Sequence, residues 1–88
     1  MSNELSLEEL KKLLRAAAGV PEGVDLDAEI LDTGFEALGY DSLALLETSS
    51  RIERAYGVQL SDAVVTEAPT PRLLIEAVNA VIADTPAA

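Results

Sequence analysis

The feature that most limits the fold of this chain is a helical segment with a defined start and a defined end. Asp41 is a good N-cap residue, because its carboxylate can accept a hydrogen bond from an unpaired N–H group in the first turn. Gly57 can adopt the left-handed conformation that ends many helices. The sequence therefore predicts a helix over 42–56, with Ser42 at its first position.

Cap residues and apolar spacing predict three further helices. The first begins at a capping box of Ser6 and Glu9 and ends at Gly19. The last begins at Thr70, a good N-cap, and Pro71, whose missing N–H costs nothing at the first helical position. A short helix between 57 and 70 depends on tertiary packing for its stability. The predicted helices span 7–18, 42–56, 63–67 and 71–83.

A long connection and two short ends complete the chain. We expect residues 1–5 and 84–88 to be frayed ends. Residues 20–41 form a loop in which apolar residues recur, so we expect it to lie across the helices with a short helical turn near 28–31. The sequence thus predicts an all-α fold, a small bundle of three main helices plus one short helix, with a long first loop. The apolar residues of the loop are Val24, Leu26, Ile30, Leu31, Phe35 and Leu38.

Composition excludes several classes of function. With 16 acidic and 6 basic residues, the net charge of −10 repels nucleic acid and anionic membranes and attracts basic partner surfaces, although it also simply keeps a small protein in solution. The chain has no Cys and no His, which excludes disulfides, thiolate metal sites and Ser-His-Asp or Cys-His catalysis. No apolar run is long enough for a membrane span. We expect a single domain over 1–88, without a metal, in the cytoplasm.

The second helix has a core face and an outward face on a helical wheel. The outward face places an apolar residue, Leu43, directly beside Ser42, where the fold does not need it. With Leu46 on its shoulder, it forms a small apolar patch among acidic residues, which is typical of a docking surface for other proteins. For Glu47, an ion pair with Arg51 is the alternative. The predicted docking residues are Asp41, Leu43, Leu46, Glu47 and Glu53.

The segment Leu38-Gly39-Tyr40-Asp41-Ser42-Leu43 resembles the phosphopantetheine attachment site of acyl carrier proteins. Asp-Ser-Leu alone is also an ordinary capped helix start. The resemblance, however, extends over nearly the whole chain, in its length, its acidity and the order of its helices. It implies that the Ser42 hydroxyl is esterified to phosphopantetheine, which makes the chain a phosphoprotein. The start of a helix favours such an anion, because N–H groups and the helix dipole point toward it.

Tyr40, with Phe35 upstream, makes the chain look most like the stand-alone carriers of bacterial type II (aromatic) polyketide synthases. The resemblance implies a non-enzymatic monomer that shuttles malonyl groups and growing polyketide intermediates as thioesters in antibiotic-type biosynthesis. It also assigns Glu47 and Glu53 to partner recognition. The implied partners are a phosphopantetheinyl transferase, a malonyl acyltransferase, a ketosynthase with its chain-length factor, a ketoreductase and cyclases.

Three residues are candidates for contact with the carried chain. Arg72 and Asn79 share one face of the last helix, two turns apart. They lie either at the solvent boundary or toward the interior, where they would offer hydrogen bonds to the carbonyl groups of a poly-β-ketone. Leu45, on the inward face of the second helix, is expected to line an acyl cavity. Three alternatives remain open. The first is a fatty-acid synthase carrier, which polarity near Arg72 and Asn79 would discriminate, and the second is an unmodified acidic adaptor, for which Ser42 is dispensable. The third is a free-standing enzyme, which the lack of a histidine, a metal constellation and a Gly-rich phosphate loop disfavours.

Overall fold

Four helices pack around a shared apolar core in a computed structural model of the protein, which describes residues 4–84. The first helix packs on the second and the fourth, and the short third helix packs on the same two helices. Residues 4–84 contain no strand. The predicted all-α bundle with three main helices, one short helix and a long first loop is confirmed. The helices are α1 (Leu7–Ala18), α2 (Ser42–Tyr56), α3 (Asp62–Thr66) and α4 (Pro71–Asp84).

The ends of α1 and α2 lie where the cap residues predict them. At α1, the Ser6 hydroxyl accepts a hydrogen bond from the Glu9 N–H at 3.2 Å. At α2, the Asp41 carboxylate accepts one from the Ala44 N–H at 2.9 Å. Gly57 ends α2 with a φ of 67°, in the left-handed region. Both helices therefore keep their predicted bounds, since their ends are determined by neighbouring residues.

The later helices differ slightly from their predicted bounds. The α3 helix spans Asp62–Thr66 rather than 63–67, because the Ser61 hydroxyl accepts from the Val64 N–H at 3.2 Å and caps the helix one residue earlier. The α4 helix extends one residue further than predicted, to Asp84. Asp84 therefore belongs to a helix and not to the predicted frayed end, whose other residues, 85–88, lie outside the described part.

The N-terminal segment corrects another expectation. Leu5 was expected in a frayed end, but its side chain is 2% exposed and belongs to the core. Its N–H donates to Asn79 Oδ1 at 2.6 Å, and its carbonyl accepts from Asn79 Nδ2 at 3.1 Å. Both backbone polar groups of Leu5 thus have a partner on α4, which holds the segment in place. Residues 1–3 of the predicted frayed end lie outside the described residues.

The long loop packs against the helices as expected, but its helical turn lies elsewhere. Residues 28–31 form no helical turn. The chain turns just before them, where the Asp25 carboxylate accepts from the Asp27 N–H at 2.9 Å, a local bond typical of turns. An i to i+4 bond occurs further along, from the Leu38 N–H to the Gly34 carbonyl at 3.0 Å. The buried residues of the loop are Leu26, Ile30, Phe35, Leu38 and Tyr40.

The second half of the loop is fastened to the junction between α3 and α4. The Phe35 N–H donates to the Pro69 carbonyl at 3.0 Å, and the Arg72 N–H donates to the Leu31 carbonyl at 2.9 Å. The Arg72 guanidinium also binds both carboxylate oxygens of Asp32, at 2.7 and 3.1 Å. These bonds place the loop beside α3, so that the two segments face each other close to the start of α2.

Candidate functional site

Ser42 is exposed and is the first residue of α2. The Asp41 carboxylate caps the Ala44 N–H, while the N–H groups of Ser42 and Leu43 have no protein partner within the described residues. A phosphate ester on the Ser42 hydroxyl would lie near these free N–H groups and the positive end of the helix dipole. The local geometry therefore fits a negatively charged group attached at this serine.

Gly39 and Tyr40 hold the segment that precedes Ser42. Gly39 has a φ of 84°, and a Cβ atom there would be 3.1 Å from the Pro21 side chain, so only glycine fits without strain. The Tyr40 ring is buried, and its hydroxyl donates to the Gly19 carbonyl at 2.8 Å. Burial raises the pKa of Tyr40, with a smaller opposing effect from the charge of Arg15, so the hydroxyl remains a donor at neutral pH.

A cleft of about 420 Å³ opens directly beside Ser42. It lies between the second half of the long loop and α3, and it has an apolar side formed by Phe35, Leu45 and Ala68. Leu45 thus lines a cavity next to the serine, and its contact with an acyl chain stays a prediction. The cleft offers space for a group attached at Ser42. Its lining residues are Gly34, Phe35, Glu36, Tyr40, Asp41, Ser42, Leu45, Thr66, Ala68 and Pro69.

The predicted docking residues on α2 do not all share one environment. Leu43 is 66% exposed, Leu46 is half-buried and Glu47 is exposed. Glu47 forms no ion pair with Arg51 in the part of the chain that the structure describes. The half-buried Glu53 accepts a hydrogen bond from the Leu60 N–H at 2.7 Å, and therefore also orders the connection after α2.

Arg72 and Asn79 do not line the cleft beside Ser42. Each side chain has a partner within the protein, and contact of either residue with a carried chain stays a prediction. The Arg72 guanidinium lies at the surface on Asp32, and the Asn79 amide is occupied by the backbone of Leu5. The discrimination of a polyketide from a fatty acyl chain by polarity near these residues likewise stays a prediction.

The sequence pattern did not single out two threonines, one in the core and one in the cleft. Thr48 is fully buried in α2, where its hydroxyl donates to the Ala44 carbonyl at 2.8 Å. On the helical wheel Thr48 lies beside Ile52 of the core face, so its burial could be predicted from the sequence. Thr66 lines the cleft, and its hydroxyl donates to the Asp62 carbonyl at 2.9 Å. No local pattern indicates that placement, which depends on how α3 packs against the loop.

The chemistry at Ser42 is that of an acceptor. No His exists in the chain, and the neighbouring Asp41 carboxylate accepts from the Ala44 N–H, so within residues 4–84 the structure shows no base hydrogen-bonded to the serine hydroxyl. Residues 4–84 contain no group of three or more side chains placed to hold a metal ion. Among the same residues, none of the helices has both the length and the apolar character that crossing a membrane requires.

Comparison with known proteins identifies the family. Residues 8–78 match the family model described as a phosphopantetheine attachment site. The chain is 58% identical over 76 residues to the oxytetracycline polyketide synthase acyl carrier protein of Streptomyces rimosus, which covers 86% of this chain and 80% of that protein.

Solved structures agree in fold. The 3-oxo-butyl form of the acyl carrier protein from the actinorhodin polyketide synthase of Streptomyces coelicolor has a TM-score of 0.86 and 41% identity, covering 98% of this chain and 100% of that one. The holo form of the actinorhodin carrier has a TM-score of 0.82 at the same identity and coverage. The chain therefore belongs to the phosphopantetheine attachment-site family, as an acyl carrier protein similar to those of type II polyketide synthases.

Proposed function

We propose that the protein carries acyl groups on a phosphopantetheine group esterified to Ser42 and presents them to the enzymes of a polyketide synthase. The observation that carries this proposal is the position of Ser42. Its hydroxyl is exposed at the start of α2, within Gly39-Tyr40-Asp41-Ser42-Leu43, and the 420 Å³ cleft opens beside it. A modifying enzyme can reach the hydroxyl, and the cleft lies within reach of whatever is attached there.

Attachment is a phosphoryl-group transfer in which this chain supplies the acceptor. The Ser42 oxygen forms a bond to the phosphorus that carries the pantetheine group of coenzyme A, and the pyrophosphate P–O bond breaks to release adenosine 3′,5′-bisphosphate. The hydroxyl proton passes to a base of the transferase, since this chain positions none. Once bound, the group supplies a terminal thiol that holds acyl chains as thioesters. Free N–H groups at the start of α2 stabilise the phosphodiester charge.

The proposed cargo is malonyl units and growing polyketide intermediates. Similarity to carriers of polyketide synthases supports this cargo over a fatty acyl chain. The proposed partners are a phosphopantetheinyl transferase, a malonyl acyltransferase, a ketosynthase with its chain-length factor, a ketoreductase and cyclases. A monomeric state and a cytoplasmic location remain predictions.

The first prediction concerns the mass of the protein. Incubation with coenzyme A and a broad-specificity phosphopantetheinyl transferase is expected to add one phosphopantetheine group, seen by intact-mass spectrometry. Ser42→Ala removes the acceptor oxygen and should abolish the gain. The matched control is Ser50→Ala, an exposed serine further along the same helix, which should gain the full mass.

Circular dichroism of each variant establishes that the helices are intact before its mass is interpreted. No mass gain on folded wild-type protein would reject the proposed function and favour the acidic adaptor. A gain that persists in Ser42→Ala would move the attachment point to another residue.

A further inference from the structure

The charged side chains that line the cleft beside Ser42 are all carboxylates. Glu36 lies on the long loop and Asp41 directly precedes α2, and the lining contains neither Lys nor Arg. Arg72 is the cation at the junction where the loop is fastened, but it does not line the cleft, and its guanidinium is bound to both carboxylate oxygens of Asp32. In the part of the chain that the structure describes, the lining of this cleft is therefore negative or uncharged.

Glu36 is the carboxylate of the two whose charge has no partner. The Asp41 carboxylate accepts a hydrogen bond from the Ala44 N–H at 2.9 Å. The Glu36 side chain is exposed, and it makes neither an ion pair nor a hydrogen bond with the described residues. Its backbone is nevertheless held in a turn, because the Glu36 carbonyl accepts from the Gly39 N–H at 3.1 Å. The loop therefore keeps an uncompensated negative charge at the cleft.

The proposed cargo contains two kinds of acyl group that differ in charge. A malonyl thioester ends in a carboxylate, which is ionised at neutral pH, whereas a β-ketoacyl thioester is neutral. The apolar side of the cleft, formed by Phe35, Leu45 and Ala68, favours an uncharged group. A malonyl carboxylate in the cleft would lose hydration and would lie close to the charge of Glu36, and both effects oppose its entry.

We propose that the cleft selects its cargo by charge, admitting neutral intermediates and excluding malonyl, and that Glu36 determines this specificity. The inference rests on the proposed function, because it requires an acyl group attached through Ser42. The attached group rotates about many single bonds, so its end can turn into the cleft or extend into solvent. A malonyl unit then stays in solvent, where a partner enzyme can reach it, while a neutral growing chain spends part of its time against Phe35 and Leu45.

The test separates charge from size with a matched pair of acyl groups. Malonyl and acetoacetyl groups have the same number of non-hydrogen atoms, and they differ in that a carboxylate oxygen of the first is a methyl group in the second. Each group is loaded from its coenzyme A thioester by a broad-specificity phosphopantetheinyl transferase, and intact mass verifies the loading. NMR then compares the amide chemical shifts of Phe35, Thr66 and Ala68, which line the cleft, with those of the protein that carries phosphopantetheine alone.

In the wild type, the acetoacetyl group is expected to shift these amides, and the shift caused by malonyl should be at least about fivefold smaller. Glu36→Lys replaces the negative charge with a positive one and should raise the malonyl shift to about that of acetoacetyl. Glu36→Gln, which only removes the charge, should give an intermediate malonyl shift. In 1 M salt, where the screening length is about 3 Å, Glu36→Lys should lose most of its effect on malonyl.

Glu22→Lys is the matched control, because Glu22 is an exposed residue of the same loop that does not line the cleft. It makes the same change in net charge and should leave the malonyl shift small. Equal shifts from the two acyl groups in the wild type, or no shift from either, would overturn the selection by charge.

A malonyl shift that stays small in both Glu36 variants, or that grows equally in Glu22→Lys, would overturn the role of Glu36. The amide spectrum of each variant before loading establishes that its fold is intact. Failure of the wild type to accept any acyl-phosphopantetheine group rejects the proposed function itself, and intact mass reveals this before any spectrum of the loaded protein is recorded.

Discussion

At the scale of single residues, Tyr40 connects the Ser42 segment to the end of α1. Its buried ring lines the cleft, and its hydroxyl donates to the Gly19 carbonyl at 2.8 Å. The sequence marked Tyr40 only through a family resemblance. The structure gives a physical reason for a tyrosine here, because a phenylalanine would fill the same space but leave the Gly19 carbonyl without this donor.

Tyr40→Phe is therefore expected to lower the free energy of unfolding at pH 7 by about 0.5–1.5 kcal/mol, the net value of one hydrogen bond. The pKa of Tyr40 is raised above 10.0 by burial in the folded protein. The stability that this hydroxyl contributes is fully present below the pKa of Tyr40 in the unfolded chain. It is lost as the pH rises through the pKa of Tyr40 in the folded protein. Urea denaturation at pH 7 and above pH 10 should thus show that the difference in stability between wild type and Tyr40→Phe becomes smaller at high pH.

Tyr56→Phe is the control for this measurement, because the Tyr56 hydroxyl makes no hydrogen bond within the described residues. It should change stability less than Tyr40→Phe at pH 7. Equal losses in the two variants would contradict a specific role for the bond to Gly19.

The residues that sequence reasoning placed correctly are those whose environment is local. Asp41 and Gly57 act on groups within four residues along the chain, so their roles can be predicted from neighbours alone. Asn79 and Arg72 have partners 74 and 40 residues away. Helical spacing left two positions open for both residues, the solvent boundary or the interior, and no periodicity indicates which distant segment they contact.

At the scale of elements, the segment before α1 is joined to α4 by one side chain. Asn79 provides an acceptor for the Leu5 N–H and a donor for the Leu5 carbonyl, so a single amide satisfies both backbone groups. This pairing lets Leu5 enter the core without leaving buried polar groups unpaired. Asn79 therefore acts on the fold of the N-terminal segment, which is a different role from the predicted contact with the carried chain.

Asn79→Leu keeps a similar volume and removes both bonds. We expect it to lower the free energy of unfolding by about 1–3 kcal/mol, since two hydrogen bonds at about 0.5–1.5 kcal/mol each are lost. Amide exchange at Leu5, followed by NMR, should accelerate. Asn79→Asp retains the acceptor for the Leu5 N–H but loses the donor, so its stability should be intermediate. Unchanged exchange at Leu5 in Asn79→Leu would contradict this role.

At the scale of the whole molecule, the path of the long loop is what assembles the site. The helices and their order follow from caps and periodicity, which act over a few residues. The cleft beside Ser42 depends on long-range bonds, in which Phe35 and Leu31 pair with the backbone at 69 and 72. The sequence predicted that the loop packs on the helices, but not where. Apolar residues in a loop indicate that it is buried, but they do not indicate which helix it packs against. Fold class was therefore predictable, whereas the shape of the cleft was not.

The ion pair of Asp32 with Arg72 joins the long loop to α4, and its contribution to stability can be tested. Hydrogen bonds from the Arg72 guanidinium, with its charge, lower the pKa of Asp32 below 3.8, against a smaller effect of burial. A lowered pKa in the folded state gives stability that is present above the unfolded pKa and lost as the pH falls through the folded pKa. Asp32→Asn should consequently be less stable than wild type at pH 7, and the two proteins should converge well below pH 3.8.

Urea denaturation at pH 7 and pH 2.5 measures this convergence, and comparing variants at each pH removes the effect of the other acidic residues. Asp27→Asn is the control, because Asp27 accepts a single bond from Arg15 at 3.1 Å while Asp32 accepts two from Arg72. Asp27→Asn should therefore lose less stability at pH 7 than Asp32→Asn does. In Asp32→Asn, the loop should also loosen locally, so amide exchange at Phe35, whose N–H bonds to Pro69, should accelerate at pH 7. A difference in stability that persists unchanged at pH 2.5 would show that Asp32 acts through something other than its charge, and the loop would then be held by its backbone bonds and apolar anchors alone.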